Sequence, residues 1–130
     1  MMINQLVNSM KKILIILFSI VLLAGCGTKV KENNKIQEIK NANNYILVDV
    51  RTKEEYDEGH LKDALNIPYD IIDENVELDK SKTILVYCKS GKRASTAETT
   101  LKNLGYTVYN LGGFEQITDF EKVKWLLNYF

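Results

Sequence analysis

The sequence predicts an α/β fold in which a central, mostly parallel sheet carries helices on both faces. Three short apolar runs predict strands, Tyr45–Val50, Thr83–Tyr87 and Thr107–Leu111. Near-continuous apolar runs of this length are typical of strands that are buried on both faces of a parallel sheet. Segments with helical spacing separate them, and this alternation favours βα units within one small domain.

The first βα unit is marked by a helix start directly after the first strand. Thr52 and Glu55 have the spacing of a capping box, in which each side chain accepts a hydrogen bond from the other residue's backbone. Gly59 follows where that helix should end. Ala64–Ile67 predicts only a minor strand, because a proline comes next. A weak helix is expected over Tyr69–Glu74.

The second half of the chain repeats the pattern. Apolar residues at helical spacing predict a helix over Ala94–Leu104, and Gly105 is placed to end it. After the third strand, Gly112-Gly113 predicts a turn. Phe120–Leu127 is predicted to be a last, amphipathic helix.

The N-terminal segment has the pattern of a secretory signal. Lys11 and Lys12 precede the uncharged run Ile13–Ala24. The run is short for a bilayer span, since a spanning helix needs roughly 20 apolar residues. A buried core helix is the alternative, although such a helix normally has a polar face. The ending Leu23-Ala24-Gly25-Cys26 resembles the lipobox of bacterial lipoproteins.

That resemblance implies cleavage before Cys26 and attachment of diacylglycerol to its thiol. The chain then divides into a lipoprotein signal peptide (1–25), a polar tether (26–34) and a domain (35–130). Because two acyl chains hold a protein stably at a bilayer, we expect an exported protein that is lipid-anchored to the bacterial cell membrane at its periplasmic or extracellular face. The start of translation stays open among Met1, Met2 and Met10.

Charge argues against one class of partner. The chain carries 17 basic and 17 acidic residues, and loss of Lys11 and Lys12 with the signal leaves 15 against 17, a net charge of −2. Nucleic-acid binding normally requires a basic surface. Nucleic acid is therefore not an expected partner.

The two cysteines are assigned different roles. If Cys26 carries lipid, Cys88 has no partner for a disulfide within the chain. Oxidising compartments tend to consume free thiols, so an unpaired cysteine in an exported protein favours catalysis. The alternative is that Cys88 is a small buried apolar residue.

Cys88 opens a short loop between a predicted strand and a predicted helix. Backbone N–H groups that converge at a helix N-terminus bind anions, and a glycine permits the tight turn. The neighbouring cations favour the thiolate over the thiol, although they are also ordinary for a solvated helix start. The candidate anion-binding loop consists of Lys89, Ser90, Gly91, Lys92 and Arg93.

Three groups of motifs resemble one known family. They are Asp49-Val50-Arg51 with Glu55-Tyr56, Gly59-His60-Leu61 and Ala64-Leu65-Asn66-Ile67-Pro68; then Tyr87-Cys88-Lys89-Ser90-Gly91-Lys92-Arg93-Ala94-Ser95; then Asn110-Leu111-Gly112-Gly113-Phe114. In order and spacing they resemble the rhodanese (sulfurtransferase) domain family over roughly Lys35 to the C-terminus. Ile117 departs from the pattern, because many relatives have a Trp shortly after the two glycines.

The resemblance implies a small α/β domain and a sulfur-transfer reaction. Cys88 would attack the outer sulfur of a donor anion such as thiosulfate, hold it as a persulfide and pass it to a thiol or cyanide acceptor. Loop amides would stabilise the charge, and neither a metal nor an organic cofactor is needed. Arg93 would contact substrate or stabilise the loop.

The resemblance also implies structural-support roles outside the loop. Asp49, Arg51 and Glu55 are expected to join in one hydrogen-bonded network, since charges beside buried strands need partners. His60 is the only histidine. It is expected to support the fold, with general-base catalysis as the alternative.

Loop length separates the functions that such a fold hosts. Related dual-specificity phosphatases use Cys-x5-Arg, whereas four residues separate Cys88 from Arg93, which favours sulfur over phosphate. Arsenate reduction generally requires additional thiols. The remaining alternative is a non-catalytic sulfur-carrier or partner-binding module at the membrane surface. We expect a monomer in either case.

Overall fold

The computed structural model describes residues 2–23 and 27–125 and divides into two compact units between Ala42 and Asn43. The first unit contains two helices, α1 (Met2–Leu23) and α2 (Gly27–Ala42). The predicted tether thus coincides largely with α2. No helix within the described ranges is both long and apolar enough to cross a bilayer.

The second unit is an α/β domain, as predicted. Its elements in chain order are β1 (Tyr45–Asp49), α3 (Lys53–Glu58), β2 (Gly59–Leu61), β3 (Leu65–Asn66), a 3₁₀ turn (Tyr69–Ile71), β4 (Thr83–Cys88), α4 (Lys92–Asn103), β5 (Thr107–Gly113), a second 3₁₀ turn (Phe114–Gln116) and β6 (Lys122–Lys124). Four strands form a parallel sheet in the order β3-β1-β4-β5. The predicted fold class is confirmed.

One face of the sheet packs on α4. In the strand register Val48 lies opposite Val86, and Ile84 lies opposite Val108. Because side chains alternate along a strand, these residues point to the same side, where they form the apolar core with Ala97 and other residues of α4. Burial of this face fixes α4, and with it the loop that precedes α4.

The opposite face is organised around Tyr87. Its hydroxyl oxygen accepts a hydrogen bond from the Leu61 backbone N–H (2.9 Å), and its ring stacks with Phe114 at 6.0 Å between centroids. Burial is the main cause that raises the pKa of Tyr87. The phenol is therefore a neutral bridge between the sheet and β2.

The capping box and the helix end were correctly predicted. The Glu55 N–H donates to Thr52 Oγ1 (3.3 Å), and the Thr52 N–H donates to the Glu55 carboxylate (3.1 Å). Gly105 adopts φ +90°, and its N–H donates to the Lys102 carbonyl. Glycine is favoured there because side chains disfavour this left-handed conformation.

The predicted C-terminal helix over Phe120–Leu127 is wrong within the described residues. Lys122–Lys124 forms β6, which pairs antiparallel with β2, and His60 lies opposite Val123. The local sequence Lys-Val-Lys alternates polar and apolar residues, as a half-exposed strand does. Residues 126–127 of that prediction lie outside the described part of the chain.

Two smaller predictions need correction. Gly112 and Gly113 close β5 instead of forming the turn, which comes one residue later as the 3₁₀ segment Phe114–Gln116. The weak helix expected over Tyr69–Glu74 is reduced to the 3₁₀ turn Tyr69–Ile71.

Candidate active site

Cys88 lies at the carboxyl end of β4, which is flanked by β1 and β5. In open parallel sheets ligands bind beyond the carboxyl ends of the strands, so the thiol is in the expected place. The residue is fully buried (0% exposed) and belongs to the apolar core. Its sulfur nevertheless accepts a hydrogen bond from the Gly91 backbone N–H at 3.0 Å.

The loop after Cys88 turns sharply through Gly91 into α4. Gly91 adopts φ +92°, ψ −13° and is the residue immediately before the first turn of α4. Its carbonyl accepts the Ser95 N–H at 2.9 Å, which starts the helical hydrogen bonds. A left-handed conformation favours glycine. The thiol consequently faces the N-terminal end of a twelve-residue helix.

The end of β5 supports this loop from the neighbouring strand. A side chain on Gly91 would press on Gly112, whose Cα lies 3.2 Å from an ideal Cβ position. A Cβ on Gly113 would clash with Gln116 Oε1, a side-chain atom, and would lie 2.5 Å from the Lys89 carbonyl oxygen, a backbone atom. The lack of a side chain on Gly91 in the loop and on Gly113 in β5 thus allows direct contact between the two backbones.

Asn110 on β5 adds a side-chain hydrogen bond between β5 and the cysteine loop. Its Nδ2 donates to the Gly91 carbonyl (3.0 Å), and its Oδ1 accepts the Gly112 N–H (2.8 Å). Asn110 was part of a motif in the sequence, but it was not predicted as a site residue. Asn110 is 19 residues from Gly91 along the chain, so only the fold brings its side chain against the loop.

Arg93 forms a two-point ion pair with Glu55. Its Nη1 and Nη2 donate to the two carboxylate oxygens at 2.7 and 2.9 Å. The hydrogen bond from Arg93 is the largest cause that lowers the pKa of Glu55 to about 2. The pKa of Arg93 is raised chiefly by Glu55 and to a smaller degree by Cys88. Arg93 therefore joins α4 to α3 while contributing positive charge near the thiol.

Asp49 and Arg51 form a separate, buried pair. Arg51 Nη2 donates to Asp49 Oδ2 (2.6 Å) and to the Gly59 carbonyl (2.6 Å), and Arg51 Nε donates to Asp49 Oδ1 (2.9 Å). The guanidinium also lies 4.4 Å from the centre of the Phe114 ring. The expected network of Asp49, Arg51 and Glu55 is thus divided in two, because Glu55 bonds to Arg93.

His60 lies on β2 and contacts α3. Its ring stacks on Tyr56 with 3.8 Å between centroids, and its Nδ1 lies 2.9 Å from the Tyr56 carbonyl oxygen. A carbonyl oxygen only accepts, so this nitrogen is the protonated one. These contacts are those of a residue that secures the α3–β2 junction.

The remaining loop residues lie at the surface. Lys89, Ser90 and Lys92 are exposed or partly exposed, and Ser90 Oγ lies 3.5 Å from the Lys92 N–H. Lys89 also lines an open groove of about 260 Å³ beside the loop, together with Phe114, Glu115 and other residues. Lys89 and Lys92 therefore place two exposed positive charges on the loop.

Two further predictions concern lipidation of Cys26 and the absence of a metal site. Cys26 lies outside the described residues. Within the described ranges, no group of three or more His, Cys, Asp or Glu side chains is arranged to hold a metal ion.

The segment that contains this strand, cysteine loop and helix matches a known protein family. A family model described as Rhodanese-like domain matches residues 32–119. The chain belongs to the rhodanese-like domain family. The match includes the whole loop as well as the residues that form both ion pairs.

Two curated relatives of this rhodanese-like domain have names that describe sulfur transfer. Thiosulfate sulfurtransferase PspE of Escherichia coli (strain K12) is 38% identical over 81 residues, covering 59% of this chain and 77% of that protein. A protein named Sulfurtransferase from Allochromatium vinosum is 35% identical over 79 residues, covering 59% of this chain and 74% of that one.

Solved structures agree on the fold of this rhodanese-like domain. A structure described as rhodanese with anions from E. coli is 32% identical with a TM-score of 0.50, covering 62% of this chain and 98% of that one. The BH2092 protein from Bacillus halodurans is 33% identical with a TM-score of 0.54, covering 64% of each chain.

Proposed function

We propose that this protein is a sulfurtransferase that moves a sulfane sulfur from a donor such as thiosulfate to a thiol or cyanide acceptor through a persulfide on Cys88. The observation that carries the proposal is the contact of the Cys88 sulfur with the Gly91 N–H at the N-terminal end of α4. The relatives named thiosulfate sulfurtransferase and sulfurtransferase support the same chemistry.

The reaction divides into two displacements at sulfur. The Cys88 thiolate attacks the outer sulfur of thiosulfate, a new S–S bond forms, and sulfite leaves with the electron pair of the broken bond. Cyanide, or an acceptor thiolate, then attacks the terminal sulfur of the persulfide and regenerates the Cys88 thiolate. With cyanide the product is thiocyanate. Each half-reaction conserves charge, and ping-pong kinetics are expected.

The loop can stabilise both sulfur anions of this cycle. The Gly91 N–H already contacts the sulfur, and the positive end of the α4 dipole lies behind it. Arg93 adds a cation that Glu55 holds in place. Lys89 and Lys92 at the surface would attract a dianionic donor toward the loop.

Access to the thiol requires a local movement. Cys88 has no exposed surface in this conformation, so a donor reaches its sulfur only when the surrounding loop opens. Lys89 and Ser90 are exposed, and exposed loop segments open at low free-energy cost. Local opening of the loop is therefore part of the proposed reaction cycle.

The test uses the full chain with thiosulfate and cyanide. We expect thiocyanate to form and, when cyanide is omitted, a mass increase of one sulfur on the peptide that contains Cys88. Cys88→Ser should abolish both signals, whereas Ser90→Ala, a change of similar size in the same loop, should retain the sulfur adduct. A wild-type protein with neither signal would falsify the proposal.

Burial of the thiol also favours a second candidate, a sulfur carrier that opens only against a partner protein. In that case thiosulfate would add sulfur to Cys88 slowly, and an already persulfidated partner would add it quickly. Equal rates of loading from thiosulfate and from persulfidated protein donors would reject the carrier and support the enzyme.

We also propose that lipid on Cys26 anchors the protein to the bacterial cell membrane at its periplasmic or extracellular face. The supporting feature is the sequence from Lys11 to Cys26, with its basic flank, apolar run and lipobox-like end. Labelling of bacterial cells with radioactive palmitate should mark the wild type but not Cys26→Ala. An unlabelled wild-type chain of full, uncleaved mass would contradict the anchor.

A further inference from the structure

We propose that Asn110 is a positioning residue that holds Gly91 in the orientation in which its N–H faces the Cys88 sulfur. This role rests on the proposed function of the loop, but it concerns the thiol before any sulfur is transferred. The side-chain amide of Asn110 makes two hydrogen bonds: its oxygen accepts one and its nitrogen donates the other.

The orientation of the Asn110 side chain is fixed at both ends. Its Oδ1 accepts the Gly112 N–H (2.8 Å), which leaves Nδ2 to donate to the Gly91 carbonyl (3.0 Å). A flipped amide would place its oxygen against the Gly91 carbonyl oxygen and its NH₂ group against the Gly112 N–H, so neither contact would be a hydrogen bond. β5 therefore presents one oriented donor to the loop.

Gly91 transmits this contact to the thiol. Its carbonyl accepts both Asn110 Nδ2 and the Ser95 N–H, while its own N–H donates to Cys88 Sγ at 3.0 Å. Glycine has unusual freedom about φ and ψ, so a single glycine holds an N–H in place only if its neighbours restrain it. Ser95 restrains Gly91 from the helix, and Asn110 restrains it from the sheet.

Removal of the Asn110 donor should weaken the hydrogen bond to the thiolate. The loop would keep its contact with α4 but would lose the bond that ties it to β5. We therefore expect the midpoint of the pH profile of Cys88 alkylation to move upward by about half to one pH unit in the variants.

The experiment measures the pH profile of alkylation of Cys88 by iodoacetamide in the full chain, with peptide mass spectrometry to separate Cys88 from Cys26. The midpoint of the profile is compared, because a looser loop also changes the absolute rate. Asn110→Asp keeps the acceptor for Gly112 and removes the donor, and Asn110→Leu removes both without adding charge. Asn66→Leu is the matched control.

Asn66 is a suitable control because its Nδ2 also donates to backbone carbonyls, those of Asp49 (3.1 Å) and Arg51 (3.0 Å). It lies on β3, at the opposite edge of the sheet from β5. The proposal expects both Asn110 variants to move the midpoint upward and Asn66→Leu to leave it in place. If Asn110→Leu does not fold, Asn110→Ala replaces it, because alanine also lacks a side-chain donor and acceptor.

Three outcomes overturn the proposal. The first is an unchanged midpoint in both Asn110 variants. The second is a shift in Asn110→Asp alone, which indicates a charge effect, and the third is an equal shift in Asn66→Leu, which indicates general loosening of the fold. Failure of the proposed sulfur transfer is distinguishable, because the alkylation profile is measured without donor or acceptor.

Discussion

Arg93 and Glu55 join the first turn of α4 to α3 through two hydrogen bonds of 2.7 and 2.9 Å between guanidinium and carboxylate. The two side chains are only 28% and 27% exposed, so solvent screens this pair less than a surface ion pair. Glu55 simultaneously accepts the Thr52 N–H. One carboxylate thus holds both the cap of α3 and the helix that begins at the cysteine loop.

This pair predicts a pH-dependent contribution to stability. The pKa of Glu55 is lowered in the folded protein from 4.5 to about 2, mainly by Arg93. A lowered carboxyl pKa stabilises the fold above the unfolded value, and that stabilisation is lost as pH falls from about 4.5 toward about 2. Glu55→Gln should therefore reduce the free energy of unfolding at neutral pH by about 1–2 kcal/mol.

Urea unfolding at a series of pH values measures this effect. The difference between wild type and Glu55→Gln should shrink as pH falls through that window. Glu98→Gln is the control, since it removes an (i, i+4) pair with the half-exposed Lys102 and should cost no more than about 0.5 kcal/mol. A Glu55→Gln difference that stays constant with pH would contradict the assigned role of the ion pair.

The buried Asp49–Arg51 pair predicts a larger loss. Arg51→Met removes the bonds to the Asp49 carboxylate and the Gly59 carbonyl, and loss of one member of a buried pair costs about 3–5 kcal/mol. The double variant Asp49→Leu/Arg51→Met should recover part of this loss, because it leaves no unpaired charge. Lys53→Met, which breaks the exposed pair with Asp57, should be nearly neutral in the same urea titrations. A double variant less stable than Arg51→Met would reject this account.

The two glycines at the end of β5 predict different results for the same change. A Cβ on Gly113 meets the Lys89 carbonyl oxygen at 2.5 Å, whereas a Cβ on Gly112 meets nothing within 4 Å but requires φ +88°. Gly113→Ala should displace the cysteine loop, slow sulfur loading of Cys88 and cost about 1–3 kcal/mol. Gly112→Ala should cost about 1 kcal/mol through backbone strain and retain most of the loading rate. Equal loading rates in the two variants would show that the contact with Lys89 does not position the loop.

The parts of this structure that could be predicted from sequence are those with a strong local signal. The capping box of Thr52 and Glu55 depends on residues three positions apart, and the buried strand before Cys88 is a continuous apolar run. Local spacing also placed the cysteine at the carboxyl end of a strand, which is sufficient to locate the site.

The missed features depend on pairs that are distant in sequence. Glu55 and Arg93 are 38 residues apart, and the sequence led us to expect that Glu55 joins Asp49 and Arg51 instead of Arg93. The pairing of β2 with β6 joins two three-residue strands, each too short for a periodic pattern. Tertiary pairing, rather than local propensity, determines such elements.

His60 provides a test that separates structural support from proton transfer. His60→Phe retains an aromatic ring to stack on Tyr56 and loses the hydrogen bond between Nδ1 and the Tyr56 carbonyl. We expect a loss of about 1 kcal/mol in the free energy of unfolding and sulfur loading and thiocyanate formation within about twofold of wild type, since general acid–base groups contribute about 10²–10⁴-fold. A hundredfold slower reaction, with the stability only slightly reduced, would instead assign His60 to catalysis.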